Sequence, residues 1–184
     1  MKKLLVMISA LSFLYGNATC QIYKSNGNME ISFFSKTPME DIDAVNKTAI
    51  SIINTSNDSV LFKVKQTEFV FPNTLMTEHY NENYVESGKF PYAVFKGKII
   101  PHIDFKKNGT YNVDVPGTLN IHGVTQTRNM EGTIVVNGDL VSISSKFDVK
   151  LVDHNIEVPK LLFGKIAEFI PVKVKAEYVP YKKN

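Results

Sequence analysis

Four histidines are the side chains in this sequence best suited to bind a metal ion or to transfer a proton near neutral pH. They are His79, His102, His122 and His154. No two of them are four residues apart, the spacing that places two ligands on one face of a helix, and no compact zinc motif is present. A barrel could still gather ligands from distant strands, but we expect no metal site.

The stretch PGTLNIHGVT, residues 116–125, places His122 between an alternating apolar run and a glycine. This position ends a strand and begins a turn, where an imidazole can bond to nearby backbone groups and hold the corner. The alternative is contact with the polar headgroup of a ligand. Arg128 follows this turn, and its planar guanidinium could bind a phosphate or form a surface ion pair. His122 and Arg128 are therefore the headgroup candidates.

Three carboxylates, Glu78, Glu82 and Glu86, are spaced by four residues and so share one face of a predicted helix. They could perform acid–base chemistry, but a solvated helix face explains them more simply. A hydrolase or isomerase would have to combine His79, Glu82 and His122 at one mouth of a barrel. The sequence contains no Gly-x-Ser-x-Gly elbow, phosphate-binding loop or His-Glu-x-x-His motif. We expect no catalytic residues and a protein that is not an enzyme.

Residues 1–20 have the pattern of a secretory signal peptide. A basic start precedes the apolar run LLVMISALSFLYG, which is too short and wrongly flanked to span a membrane. Cleavage after Cys20 would leave Gln21 as the first residue of a single domain, 21–184. The alternative is lipidation of Cys20, for which the three preceding residues form a poor signal. We expect a periplasmic or secreted protein.

Composition excludes several mechanisms. Cys20 is the only cysteine, so the domain has no disulfide, cysteine zinc site or thiol nucleophile. Loss of Lys2 and Lys3 would lower the formal net charge from +3 to +1. Since the chain has one arginine and scattered lysines, it lacks the concentrated basic patch typical of nucleic-acid binding.

The elements that must position these residues are mostly strands. Apolar residues alternate with polar ones in MEISFF, SVLFKVK, YNVDVPGTLNI, SISSKFDVKL and IPVKVKAEY. Turn sequences separate these runs, among them NTSNDS, KKNG and VNGD, whose Asn-Gly pair predicts a type I′ hairpin. We count about eight strands. When antiparallel strands with one apolar face close into a barrel, that face is buried and no strand edge stays exposed.

Two segments interrupt the strands. Residues 73–87 show no alternation, offer Asn73 as an N-cap, and space Met76, Tyr80 and Tyr84 along one face, which predicts a short helix or two. Residues 153–168 contain the apolar run LLFGKI without a strand signature, and predict a loop or helical turn near one end of the barrel.

The barrel interior could be packed with side chains or could hold one slender ligand. Gly117 shares its face with Leu119 and Ile121, and its missing side chain could leave room for a ligand, a neighbouring strand or a bend. Gly97 has the same relation to Phe95. Small residues beside large ones would leave space for a channel in the barrel. In a packed interior, these glycines would instead allow the strands to twist and the barrel to close.

Three stretches resemble the YceI-like family of exported lipid-binding proteins: residues 69–99, residues 117–126 and residues 147–159. The most characteristic units are Lys-Phe-Pro-x-Ala-x-Phe, beginning at Lys89, and Gly-x-Leu-x-x-His-Gly-Val-Thr, beginning at Gly117. The amino-terminal segment matches less well. The resemblance implies an all-β fold, an elongated eight-stranded antiparallel lipocalin-like β-barrel with a short helical insert. It also implies an apolar pore for a polyisoprenoid such as a polyprenyl phosphate or a quinone, and a homodimer.

Strand parity and this resemblance together predict twelve residues that line the pore. They are Phe33, Phe62, Phe69, Phe71, Met76, Tyr80, Tyr84, Phe95, Leu119, Ile121, Phe147 and Val149. The expected function is a non-enzymatic exported protein that holds an isoprenoid lipid for transport, storage or stress protection, with no cofactor other than this ligand. The alternatives are the hydrolase or isomerase described above and a structural barrel that binds a protein partner through its outer face.

Overall fold

A computed structural model describes residues 21–36, 41–157 and 168–182 of the chain. Strands dominate the fold, as the alternating pattern predicts. The strands are β1 (Ile22–Lys36), β2 (Asp41–Asn46), β3 (Ile50–Asn54), β4 (Ser59–Lys65), β5 (Tyr92–Lys98), β6 (Gly109–Ile121), β7 (Val124–Asn137), β8 (Leu140–Lys150) and β9 (Phe169–Pro180). Within the described ranges, no helix is long and apolar enough to cross a membrane.

The sheet closes into a barrel, because β1 pairs with β9 as well as with β3. Each strand from β3 to β9 pairs antiparallel with the next along the chain. Eight strands, β1 and β3–β9, therefore form the closed antiparallel barrel that the sequence predicts. β2 is an extra strand, which pairs with the last residues of β1, Ile31–Lys36, while β3 pairs with the first, Ile22–Lys24.

Asn46 connects β2 to the barrel. Its side chain is fully buried. Oδ1 accepts hydrogen bonds from the backbone N–H groups of Thr48 and Ala49 at 2.9 and 3.0 Å, and Nδ2 donates to the Lys65 carbonyl at 3.0 Å. These bonds replace strand pairing where β2 ends and β3 begins, so the backbone polar groups of this buried junction stay satisfied.

The helical insert lies between β4 and β5. It contains a 3₁₀ turn (Gln66–Glu68), helix α1 (Thr74–His79) and a π-helical turn (Tyr80–Tyr84). Asn73 is the N-cap, as predicted, since its side chain accepts a hydrogen bond from the Met76 N–H at 2.9 Å. A 3₁₀ helix (Leu151–His154) overlaps the start of the second interruption, residues 153–168, whose LLFGKI run lies outside the described residues.

Two hairpin turns differ from their sequence signals. The Asn-Gly pair predicts a type I′ turn between β7 and β8, but Asn137 pairs with Leu140 and only Gly138 has positive φ in the loop. A type I′ turn needs positive φ at both central residues. His122 and Gly123, between β6 and β7, meet that condition with φ of 51° and 74°.

The two ends of the barrel are built differently. One end, called the helical end below, carries residues 66–91, the turn at His122 and the 3₁₀ helix at 151–154, which contact one another. At the other end the interior is filled: Tyr23 packs against Phe105 with ring centroids 5.5 Å apart. The buried Tyr178 hydroxyl donates to Ser51 Oγ at 2.7 Å.

Candidate functional site

An apolar cavity of about 460 Å³ occupies the barrel interior between the filled end and the helical end. This volume lies within the range of roughly 300–1,000 Å³ that small-molecule sites occupy. Side chains from β1, β2 and β4–β9, from the helical insert and from residues 151–156 line it. The interior is therefore packed at one end and hollow over the rest of its length.

All twelve residues predicted to face the pore line this cavity. They are Phe33, Phe62, Phe69, Phe71, Met76, Tyr80, Tyr84, Phe95, Leu119, Ile121, Phe147 and Val149. Seven of the twelve lie in strands, and parity explains their position, because successive side chains of a strand point to opposite faces of the sheet. In β4, Val60, Phe62 and Val64 all line the cavity. Contact of these residues with a ligand stays a prediction.

Four aromatic rings cluster on the cavity wall at the helical end. Phe33, Phe69, Phe71 and Tyr80 have ring centroids 5.0–5.9 Å apart, and several pairs are tilted or edge-to-face. Burial raises the pKa of the Tyr80 hydroxyl far above its ordinary value, so that this group stays neutral. The cluster gives the cavity a broad, uncharged apolar wall.

Gln66 places an amide in this apolar surround. The residue is 2% exposed and lines the cavity beside Tyr80, whose hydroxyl donates to Gln66 Oε1 at 2.7 Å. The Gln66 backbone N–H donates to the Pro91 carbonyl at 2.9 Å. Sequence reasoning missed Gln66, although it continues the inward parity of Val60, Phe62 and Val64.

The structure explains why residue 117 is a glycine. Gly97 and Gly117 are cross-strand partners in β5 and β6. A Cβ atom on Gly117 would lie 2.2 Å from the Lys96 carbonyl oxygen and 2.7 Å from the Gly97 Cα. The missing side chain at residue 117 therefore makes room for the neighbouring strand, and the cavity owes its space to other residues.

His122 holds together the helical end. Its Nδ1 lies 3.1 Å from the His154 carbonyl oxygen and its Nε2 lies 2.9 Å from Glu86 Oε2. Both partners are acceptors, so both bonds form together only when both ring nitrogens carry hydrogen. Two hydrogen bonds lower the pKa of the Glu86 carboxyl, and the one from Lys89 has a larger effect than the one from His122. This is the corner-holding role expected from the sequence.

The headgroup candidates lie elsewhere. Neither His122 nor Arg128 is among the described residues that line the cavity. Arg128 donates from Nη2 to the Asp148 backbone carbonyl at 2.8 Å, where the sequence had suggested an ion pair or a phosphate contact. A contact between a ligand headgroup and either side chain stays a prediction.

The three carboxylates predicted to share one helix face do not lie on one continuous helix. Glu78 and Glu82 are exposed, and Glu86 lies beyond the π-helical turn with φ of 42°, so the chain has left the helix before this residue. Glu86 bonds to His122, whereas His79 lines the cavity. Across residues 21–36, 41–157 and 168–182, no group of three or more His, Cys, Asp or Glu side chains could hold a metal ion.

Comparison with solved structures identifies the same fold in three bacterial proteins. A polyisoprenoid binding domain from Saccharophagus degradans superposes with a TM-score of 0.75 at 13% identity, covering 86% of this chain and 98% of that one. BcnA from Burkholderia cenocepacia gives 0.66 at 17% identity, covering 81% and 95%. A YceI protein from Campylobacter jejuni gives 0.57 at 15% identity, covering both chains completely. These identities show a shared fold alone.

The sequence comparisons are consistent with the fold. A search of curated proteins found no match. The family model described as the YceI-like domain matches residues 22–178, which include all nine strands apart from the last two residues of β9. The chain therefore belongs to the YceI-like family.

Proposed function

We propose that this protein is a non-enzymatic binding protein that holds an isoprenoid-type lipid in the barrel cavity, outside the cytoplasm, for transport, storage or protection. The observation that carries the proposal is the hollow interior of about 460 Å³ walled by aliphatic and aromatic side chains. The described part of the wall includes no lysine or arginine. An apolar chain is the ligand that such a surface favours.

The solved structure from Saccharophagus degradans supports the ligand class, since that protein is described as a polyisoprenoid binding domain. A long prenyl chain also has the driving force to bind. Each methylene transferred from water into an apolar site contributes ~0.8 kcal/mol before the costs of ordering the chain. The tail can therefore supply most of the affinity.

The direct experiment is to purify the mature protein, extract it with organic solvent and identify the extract by mass spectrometry. A prenyl lipid at about one molecule per chain would support the proposal. The matched control is a Val172→Trp variant, which places a bulky ring on the cavity wall and should emerge without stoichiometric lipid. Catalytic turnover of a small apolar substrate without retained lipid would instead support the hydrolase or isomerase.

Export and self-association are further parts of the proposal. The basic and apolar pattern of residues 1–20 supports removal of a signal peptide, which would leave Gln21 as the first residue. Sequencing the amino terminus of the secreted or periplasmic form tests this, and a lipid on Cys20 would contradict it. Sedimentation velocity of the mature form tests the homodimer that the family resemblance implies.

A further inference from the structure

The Gln66 amide is held from two sides. On the main chain, the Gln66 N–H donates to the Pro91 carbonyl, and the Gln66 backbone carbonyl accepts from the Phe69 N–H at 3.3 Å. At the far end of the side chain, Oε1 accepts the Tyr80 hydroxyl at 2.7 Å. Because Gln66 is 2% exposed and Tyr80 is packed among three phenylalanine rings, the amide has one well-defined position on the cavity wall.

The side-chain NH₂ group of Gln66 is available to a ligand. With Oε1 occupied by Tyr80, the two Nε2–H groups have no hydrogen-bond partner among the described residues, although the residue lines the cavity. A donor on a cavity wall that has no protein partner gains a hydrogen bond when a ligand oxygen accepts from it. The wall thus presents hydrogen-bond donors to whatever occupies the space.

The charge of the wall restricts which oxygen can bind. No lysine or arginine of the described residues lines the cavity; His79 and Glu131, which do, are exposed residues. Among the described residues, a phosphate buried beside Gln66 would meet no countercharge, and burial of an unpaired charge costs several kcal/mol. A neutral carbonyl needs only the donors that the amide supplies.

We propose that the Gln66 amide, positioned by the Tyr80 hydroxyl, is the polar anchor of the cavity and binds a neutral acceptor oxygen, such as a carbonyl, carried by an apolar chain. This assignment rests on the proposed function and narrows it, since it favours a carbonyl headgroup over a phosphate. Gln66 contacts the ligand, and Tyr80 is a positioning residue that directs the donors into the cavity.

Two branched lipids of one skeleton test the anchor. Phytone is an isoprenoid ketone, and in pristane a methyl group replaces the carbonyl oxygen. The hydrogen bond should make the ratio of phytone affinity to pristane affinity about two- to tenfold higher in the wild-type protein than in a variant without the amide, the range that one net hydrogen bond supplies. Phytyl phosphate should bind more weakly than phytone. Tighter binding of phytyl phosphate than of phytone would overturn the assignment.

Variants locate the effect. Gln66→Leu should lower the phytone-to-pristane affinity ratio about two- to tenfold below the wild-type ratio while pristane binding persists, which also shows that the variant folds. Tyr80→Phe should reduce the ratio partly, because the amide can then rotate. The matched control is Gln126→Leu, since Gln126 donates to the Asp153 carbonyl at 2.7 Å and does not line the cavity. It should keep the wild-type ratio; a ratio retained in Gln66→Leu would refute the anchor.

One measurement requires no variant. The carbonyl stretching band of phytone bound to the wild-type protein should lie at lower frequency than in a hydrocarbon solvent, because the oxygen accepts a hydrogen bond. An unshifted band would overturn the anchor but leave lipid binding intact. If neither phytone nor pristane binds to the wild-type protein, the proposed function fails with the anchor, so the two failures are distinguishable.

Discussion

Chain length should dominate the affinity of this protein for isoprenoids up to the capacity of the cavity. The ligand series is one of prenyl alcohols with one, two, three, four and more isoprene units, which share a headgroup. If each chain carbon needs about the volume of one liquid water molecule, ~30 Å³, the cavity of about 460 Å³ holds about 15 carbons. This corresponds to three isoprene units.

The size of each step follows from the five carbons in a unit. At ~0.3 kcal/mol per non-hydrogen atom, the value usual for drug-sized ligands, one unit adds ~1.5 kcal/mol, or about tenfold in Kd. Full transfer at ~0.8 kcal/mol per methylene would set an upper bound near 4 kcal/mol. We expect Kd to fall about tenfold per unit through the third unit and then to level off.

Equilibrium dialysis of the mature protein against each alcohol, delivered from cyclodextrin, gives the affinities. Ligand-induced thermal stabilisation, followed by circular dichroism, provides a second measure because the chain has no tryptophan for intrinsic fluorescence. Equal binding of the shortest and longest alcohols would refute the reasoning. A steady gain well beyond the third unit would show that the occupied space is larger than the cavity described here.

Three substitutions, the first with a matched control, test other parts of the structure. Val172→Trp should block the cavity and abolish binding of farnesol, whereas Val135→Trp on the outer face of β7 should bind normally; equal loss in both would contradict a cavity site. Gly117→Ala should destabilise the fold by about 2 kcal/mol or more, because its Cβ would meet backbone atoms of Lys96 at 2.2 Å; an unchanged midpoint in urea denaturation would disprove the close approach. His154 is fully buried. Loss of hydration on burial is the largest of the effects on this imidazole and lowers its pKa below the ordinary histidine value. The unfolded chain therefore takes up the proton first, so the free energy of unfolding should fall as the pH drops below about 6.5, the ordinary histidine value. A His154→Asn variant, measured by urea unfolding between neutral pH and pH 5, should show a flatter slope; an identical slope would assign the acid sensitivity to other groups.

The wall of the cavity could be predicted from sequence because strand parity is a local property. In β4 and β8 the alternation places Val60, Phe62, Phe147 and Val149 on the apolar face of their strands. Closure of the barrel turns that face inward. Gln66 follows the same parity but was missed, because a glutamine after the last apolar residue of a strand is also typical of a turn. Its assignment needs the contact with Tyr80, which lies 14 residues further along the chain.

The contacts at the helical end could not be predicted in this way. His122 bonds to Glu86 and to the His154 carbonyl, which are 36 and 32 residues away in the sequence. No periodic pattern encodes such distant pairs. The spacing of Glu78, Glu82 and Glu86 was misleading for the same reason, since it assumes that one helix continues to Glu86, whereas the chain turns away after Tyr84.

The hollow interior separates the binding function from a purely structural barrel. The side chains that line this cavity lack contact partners on one side, and in protein cores such a deficit destabilises the fold increasingly with cavity volume. Water is a poor occupant, because the aromatic and aliphatic wall offers it few hydrogen-bond partners. A structural barrel would remove this cost by filling the space, as Tyr23, Phe105 and Tyr178 fill the opposite end. A barrel that closes one end with large buried side chains and leaves the rest apolar and open is stabilised when a lipid occupies it, because occupancy restores the missing contacts.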